Sequence, residues 1–389
     1  MRRLAVVVLA ALCGLAAGGL VSEATTDTVE ASPAPAPAPA PAPLDIEEGE
    51  RPGVVVVWTP GGLDPAVPAA LTDIEPVASS VVVRGDLVDM VRSESADGTV
   101  VDDPPGAAVI PLDALAVDPA AYAGALSVGL AKTVATLAAG EVLLGETSAT
   151  LRRLGPGDHI ELAGGQRFHV AAVVPDDVVA GAEVVFTLEG GAAAGVTTDR
   201  YVLAVFNGDR ASLDAAIHDA VTTPVRIRGP GETPFLRHGD AVLTQAEIKK
   251  RFGEFSYTPT PDGTLRIHSA WEAEHLVTTT VPLLGQLRCH RAIVGALGAA
   301  MQSLVDDGLD HLVLSDSFGG CWNARRIGPD DALSRHAWGV AVDLNVGKNP
   351  TGVHAAIDHR VVGALEDHGF TWGGRWLVPD PAHFEYRHP

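Results

Sequence analysis

No segment restricts the fold of this chain more than SPAPAPAPAPAP, Ser32 to Pro43, in which every second residue from Pro33 onward is proline. Proline fixes φ, carries no N–H and crowds the residue before it, so the run can enter neither a helix nor a β ladder. It behaves as a semi-rigid extended spacer, and at about 3.1 Å per residue of polyproline II its prolines span roughly 34 Å. With the acidic DIEEGE that follows Leu44, it makes residues 25–50 a linker. Compact structure is thereby confined to the residues from Arg51 onward. The element ahead of the linker, residues 1–24, places Arg2 and Arg3 before an apolar run from Leu4 to Val21, the layout of an export signal. That run is long for a signal and near the lower limit for a membrane span, so an uncleaved N-terminal membrane anchor is the alternative. Cys13 follows Leu12, where lipid attachment needs a small residue, and reads as a passive apolar cysteine. The spacer then serves either to carry the folded part across a cell wall or as a plain linker.

The 389 residues leave room for two domains of ordinary size. A net charge of -22, from 27 basic and 49 acidic residues, disfavours nucleic acid and anionic membrane surfaces as partners. Residues 51–230 read as an α+β domain. GVVVVW, VASSVVVRG, GDHIELAGGQRFHVAAVV, AEVVFTLEG and DRYVLAVFN have strand character, with Gly164-Gly165 a hairpin turn between HIELA and QRFHV. PAAYAGALSVGLAKTVATLAAG and SLDAAIHDAV have helix character. His159 and His169 fall in the two facing strands and read as cross-strand neighbours rather than a second metal site. The stretch GETSATLRRLGPGDHIEL resembles extracytoplasmic domains of transporter permeases in its strands and turns, and assigns no function.

A connector, residues 231–243, leads to a second domain over 244–389, also α+β, with a central antiparallel sheet and flanking helices. Thr244 and Glu247 have the spacing of a capping box, and Gly253 is placed to end the short helix it opens. TPDGTLRIH reads as turn and strand. Cys289 to Asp307 reads as an amphipathic helix, with Ile293, Leu297, Met301 and Leu304 at core spacing. HLVLSDSF reads as the strand that delivers the loop NARRIG. Cys289 and Cys321 are the only cysteines outside the export segment and pair naturally as a disulfide; a Cys/His zinc site with His290 is the competing reading.

The chemistry sits in SRHAWGVAVDLN, Ser334 to Asn345, and PDPAHFEYR, Pro379 to Arg387. VAVDLN alternates as a strand, with Val340, Val342 and Leu344 on one face and Ala341, Asp343 and Asn345 on the other. His336 is an odd seven residues before Asp343, so the chain must turn between them, and Gly339 allows it. In the second segment His383, Glu385 and Arg387 share a face. Two imidazoles and a carboxylate suit catalytic zinc, which takes three protein ligands and leaves a fourth position for water; His336, Asp343 and His383 are the candidates. Such chemistry also needs a base, for which Asp380 stands three residues before His383 with Glu385 as runner-up, and a cation at the oxyanion, Arg325 or Arg326. Asn345 is placed to meet substrate or orient a ligand, and Glu385 to hold the far nitrogen of His383. Trp338, Trp372 and Trp376 flank the ligand motifs and are either groove wall or core.

The composite pattern is more specific than any pair. Ser334, His336, Gly339, Ala341 and Asp343 fit S-x-H-x-x-G-x-A-x-D, and Trp372 to Glu385 fit W-G-G-x-W-x-x-x-D-x-x-H-F-E. Both resemble the D-alanyl-D-alanine carboxypeptidase family of zinc peptidases, including its L-alanyl-D-glutamate endopeptidase branch, over roughly residues 245–389. The resemblance implies zinc on His336, Asp343 and His383, Asp380 as acid/base and Arg325 as the arginine. Asp rather than Glu at the base position points toward the endopeptidase-like branch. The expectation is an exported zinc peptidase cutting peptidoglycan stem peptides. Its rivals are a wall-binding or sensory module that keeps the fold without turnover, and a chain whose first domain is the working part.

Overall fold

The computed structural model describes residues 53–230, 232, 239–241, 243–260, 264–327 and 332–387. The export-like segment, the spacer and most of the connector lie outside them. Residues 53–230 build one sheet from β1 (Gly53–Trp58), β2 (Val77–Glu94), β3 (Val100–Asp102), β4 (Ile110–Val117), β5 (Glu141–Gly145), β6 (His159–Leu162), β7 (Arg167–Val174), β8 (Val184–Thr187), β9 (Asp199–Phe206) and β10 (Arg226–Arg228). The order is β10-β1-β9-β2-β4-β8-β5-β7-β6, with β3 on β2. Because β6 returns to pair with β2, six strands (β2, β4, β8, β5, β7, β6) close into a barrel, and β9, β1 and β10 extend it as an open sheet. β2 serves both because register shifts at Val83/Arg84 and Met90/Arg92 bend it.

The all-apolar GVVVVW becomes an interior strand. Val54, Val56 and Trp58 pack into one cluster and Val55 and Val57 into another, so both faces are covered. The hairpin at Gly164-Gly165 forms with Gly165 at φ +81°, and His159 pairs with His169, ring centroids 4.0 Å apart. The expected single helix over 119–140 is instead two, Pro119–Ala123 and Val128–Ala135. Gly124 is a weak helix former, and Ser127 turns extended to start the second helix. AEVVFTLEG is strand only to Thr187, whose hydroxyl caps the helix Leu188–Ala194. β4 and β5 carry no strong alternation and were not expected from the sequence.

The C-terminal part has shorter elements: β11 (Tyr257–Pro259), β12 (Leu265–Ile267), β13 (Leu276–Val281), β14 (Gly285–His290), β15 (Arg326–Ile327), β16 (Ala332–Leu333), β17 (Ala341–Asp343), β18 (Phe370–Trp372) and β19 (His383–Tyr386). β17, β19 and β18 form a three-stranded antiparallel sheet with β19 central; the others pair as hairpins. The helices Val294–Asp306 and His359–Glu366 pack beside it around Leu297, Met301, Val361 and Leu365. Thr244 accepts from the Glu247 N–H at 3.1 Å and caps the helix Gln245–Phe252, which Gly253 ends at φ +87°.

Two expectations fail here. Cys289 does not start a helix: it and His290 finish β14, paired with Val277 and Leu276, and the helix begins at Val294. HLVLSDSF is not a strand but two 3-10 turns, because the Asn345 side chain takes the Leu314 N–H and the Leu312 carbonyl, both at 2.8 Å.

The two parts share a core. Val109 of the barrel belongs to the same apolar cluster as Phe252, Trp338 and Phe384, and its backbone bridges Tyr257.

Candidate metal centre

His336 stands in a 3-10 turn, Arg335–Trp338, that Ser334 caps by accepting the His336 N–H at 3.3 Å. Gly339 ends the turn at φ +67°, and a side chain there would meet the His290 nitrogen at 2.8 Å. The chain reverses directly into β17, which ends on Asp343, and the register of β17 against β19 sets Asp343 opposite His383. A turn, a strand end and the start of a central strand thus bring the three side chains together.

His336 Nε2 lies 3.3 Å from His383 Nδ1 and 3.2 Å from Asp343 Oδ2; His383 Nδ1 lies 2.9 Å from Asp343 Oδ1. The second nitrogens fix the tautomers. His336 Nδ1 is 2.6 Å from the Cys321 carbonyl, which can only accept, so Nδ1 carries the proton. His383 Nε2 faces the Glu385 carboxylate at 3.4 Å and carries its proton in the same way. Both imidazoles therefore turn a lone pair toward Asp343. Four ligand atoms at about 2.0–2.1 Å around a tetrahedral zinc lie roughly 3.3 Å from one another; His336 Nε2 and His383 Nδ1 have that spacing, Asp343 presents one oxygen to each, and one ligand atom from each residue lies within 4.8 Å of the others. The residues present fit zinc.

The electrostatics agree. Burial penalises a charged His383, yet Asp343 and Glu385 outweigh it and push the imidazole up to about 10 in the metal-free protein. Burial would also raise Asp343, but the two imidazoles against it, with His383 protonated in the absence of metal, hold it well below the ordinary carboxylate range. The cluster wants a cation, and without a metal a proton supplies it.

Asp380 lies at the turn into β19, where its carbonyl accepts from the His383 N–H at 3.1 Å and its own N–H donates to Gly373 at 3.0 Å. Burial raises its carboxyl above the ordinary value, opposed by the charge of His383. It titrates within electrostatic reach of all three ligands. Of the two arginines, Arg326 is committed to the barrel, with Nη2 on the Tyr257 hydroxyl and 3.4 Å from Asp89. Arg325 remains, at an isolated bridge with Thr264 and with its carbonyl accepting from Ser334.

Other expected positions fall differently. Asn345 shares the Asp343 face only in sequence: it adopts φ +54°, and its amide is spent on residues 312 and 314, so it fastens a loop rather than meeting substrate. Trp338 is core, donating to the Gly253 carbonyl at 3.1 Å and packed on Phe255. Trp372 donates to the Pro381 carbonyl at 2.9 Å. Trp376 is half-buried with its ring 5.2 Å from His383, beside a cavity of about 260 Å³ that Trp58 and Glu385 also line. Glu385 sits on the far side of the His383 ring from the ligand atoms, away from a base's position. Cys289 and Cys321 form the disulfide, which removes the Cys/His alternative; His290 instead bonds the Phe252 carbonyl at 3.1 Å. Residues 319–323 fall within the stretch of resemblance and lead into the loop bearing the arginine, but the sequence reading missed that they hold two of the ligands. The signal, Gly319-Gly320 beside a cysteine, was available.

The family described as D-alanyl-D-alanine carboxypeptidase matches residues 328–386. That span holds His336, Asp343, Asp380 and His383; Arg325 lies outside it. No curated relative matches the chain. Among solved structures, the chain is similar to the periplasmic region of MacB from Actinobacillus actinomycetemcomitans (TM-score 0.31, 8% identity, covering 45% of this chain and 88% of that one). It is also similar to the extracellular domain of the ABC-type transporter YknZ from Gram-positive bacteria (TM-score 0.28, 9% identity, covering 45% and 99%). Likeness at that level assigns no function.

Proposed function

We propose that the C-terminal part is a zinc peptidase that hydrolyses stem peptides of peptidoglycan outside the cytoplasm, as a D,D-carboxypeptidase or an L,D-endopeptidase. The observation that carries this reading is the convergence of His336 Nε2, Asp343 and His383 Nδ1, with lone pairs inward, inside the segment that matches the carboxypeptidase family. The export-like segment and the disulfide support the location, since disulfides persist in oxidising compartments.

Zinc held by these three residues supplies Lewis acidity toward a scissile carbonyl and toward water. Asp380 takes up the proton that water loses on attack and returns it to the leaving amine. A carboxyl raised by burial suits that double duty better than an ordinary one. Arg325 donates to the carbonyl oxygen as negative charge develops there. Ser334, through the turn it caps, and Glu385, through the far nitrogen of His383, hold the imidazoles in place. Trp376 offers an apolar wall beside them.

The test is to digest purified peptidoglycan with the zinc-loaded full chain and identify the products by mass. Asp380→Asn should keep one zinc per chain while hydrolysis falls about 10²- to 10⁴-fold. Unchanged turnover rejects Asp380 as the base. Zinc bound by the wild type with no peptide cleaved favours a wall-binding or sensory module instead.

A further inference from the structure

The loop 319–323 reaches the ligand set from behind. The Gly319 N–H donates to the Asp343 carbonyl at 2.8 Å, and the Asp343 N–H donates to the Gly320 carbonyl at 3.1 Å. The Cys321 carbonyl takes the His336 Nδ1 proton at 2.6 Å, and the Asn323 N–H donates to the His336 carbonyl at 3.0 Å. One short loop thus holds the backbone of two ligands and the ring of one.

Few contacts hold the loop itself: the Trp322 N–H donates to the Arg288 carbonyl of β14 at 3.0 Å, and the Arg288 guanidinium lies 4.3 Å over the Trp322 ring. The loop follows the 3-10 turn Ser315–Ser317 and precedes β15, and it meets β17 at Asp343 through Gly319 and Gly320. Its covalent anchor is the disulfide from Cys321 to Cys289 at the end of β14. The same strand end fixes the other side of His336, because the His290 N–H donates to the Gly339 carbonyl at 2.9 Å, which also lies 3.4 Å from Cys321 Sγ. Strand end, loop and 3-10 turn meet at one node, and the buried cystine is its centre.

We propose that the Cys289–Cys321 disulfide is a positioning element of the metal centre: it holds the Cys321 carbonyl where it selects the Nε2 lone pair of His336 for the metal. This rests on the zinc reading above and assigns the cystine a task beyond stabilising an exported domain. Without the bridge the carbonyl drifts from Nδ1, the ring is no longer held to one tautomer, and Asp343 loses its fixed backbone. Partners of metal-binding histidines set affinity by about 10- to 100-fold, and that is the loss expected here.

The experiment compares zinc affinity and the cobalt(II) absorption spectrum of the full chain with those of Cys289→Ser/Cys321→Ser. Met301→Ala serves as the control, a core truncation that softens the same domain without touching the loop. The double variant should bind zinc about 10- to 100-fold more weakly and shift or broaden the cobalt bands, while Met301→Ala keeps both near wild type. Equal loss in the two variants, or none in either, overturns the proposal. If the double variant does not fold, the wild-type chain with its disulfide reduced under native conditions decides. Zinc binding that weakens on reduction and returns on reoxidation supports the proposal, and unchanged affinity in the reduced, folded chain overturns it. A wild-type chain that binds no zinc sinks the metal reading itself, a result distinct from every outcome above.

Discussion

Two buried polar clusters in this molecule show opposite solutions to the cost of burying charge. Where the helix Gln245–Phe252 meets the barrel, Arg152 and Lys249 face Glu183 and Glu254. Arg152 lies 3.1 and 2.5 Å from the two carboxylates, and Lys249 lies 2.8 Å from both. Gln245 and the Asp113 N–H complete Glu183 at 2.7 and 3.0 Å. Two cations balance two anions, and donors meet acceptors. At His336, Asp343 and His383, by contrast, three acceptor atoms face one another and the donors point outward to Cys321 and Glu385. The first cluster is complete within the protein; the second is complete only with a cation. Burial alone does not mark a functional site: the balance of donors and acceptors does.

That contrast can be broken or sharpened by experiment. The largest expected effect is on the balanced cluster. Glu183→Gln leaves two buried cations with one carboxylate and should cost about 3–5 kcal/mol of unfolding free energy. Chemical denaturation measures it, with zinc content of the folded fraction unchanged; lost zinc at normal stability would reverse the two roles. Next, saturating zinc at about 100 times Kd should stabilise the chain by about 2.7 kcal/mol. A chelator should remove that increment in the wild type and in folded Glu183→Gln alike, as followed by thermal melting. Glu385→Gln should weaken zinc binding about 10- to 100-fold by releasing the far nitrogen of His383, read by competition with a chromophoric chelator.

The smallest effect is a difference in pH slope. His383, near 6.5 when unfolded, titrates at about 10 in the metal-free folded chain. A raised folded value gives stability that is full below the unfolded pKa and is lost as pH rises through the folded one. Metal-free protein should therefore lose stability between about pH 6.5 and 10, and zinc-loaded protein should lose less, because metal replaces the proton. Equal slopes in the two forms, measured by denaturation across that range, would mean that His383 does not face the ion.

The barrel was partly legible in the sequence because alternation and apolar runs report burial locally. GVVVVW, HIELA, QRFHV and DRYVLAVFN each form the expected strand. IPLDALAV and EVLLG escaped because closure into a barrel, not local pattern, makes them strands. In the C-terminal part the residues that meet at the centre were legible from motif spacing and the loops between them were not. HLVLSDSF has the composition of a strand, yet Asn345, more than thirty residues on, takes its backbone groups. A backbone carbonyl such as that of Cys321 has no side-chain signature at all. Arg325 and Arg326 look alike in NARRIG and are told apart only by Asp89 and Tyr257, which the barrel brings to one of them.

The amino-acid sequence by itself excluded helix and ladder from the alternating prolines of residues 33–43, because proline lacks the N–H that both require. It also determined which side chains could bind a metal, since only certain donors can and the motif spacing singles out His336, Asp343 and His383. Tertiary structure alone decided which nitrogen of each histidine faces inward, which arginine is left over, and that Lys249 is buried against two carboxylates. Those outcomes depend on hydrogen bonds and charges contributed by residues far apart in the chain, whose distances exist only once the chain has folded.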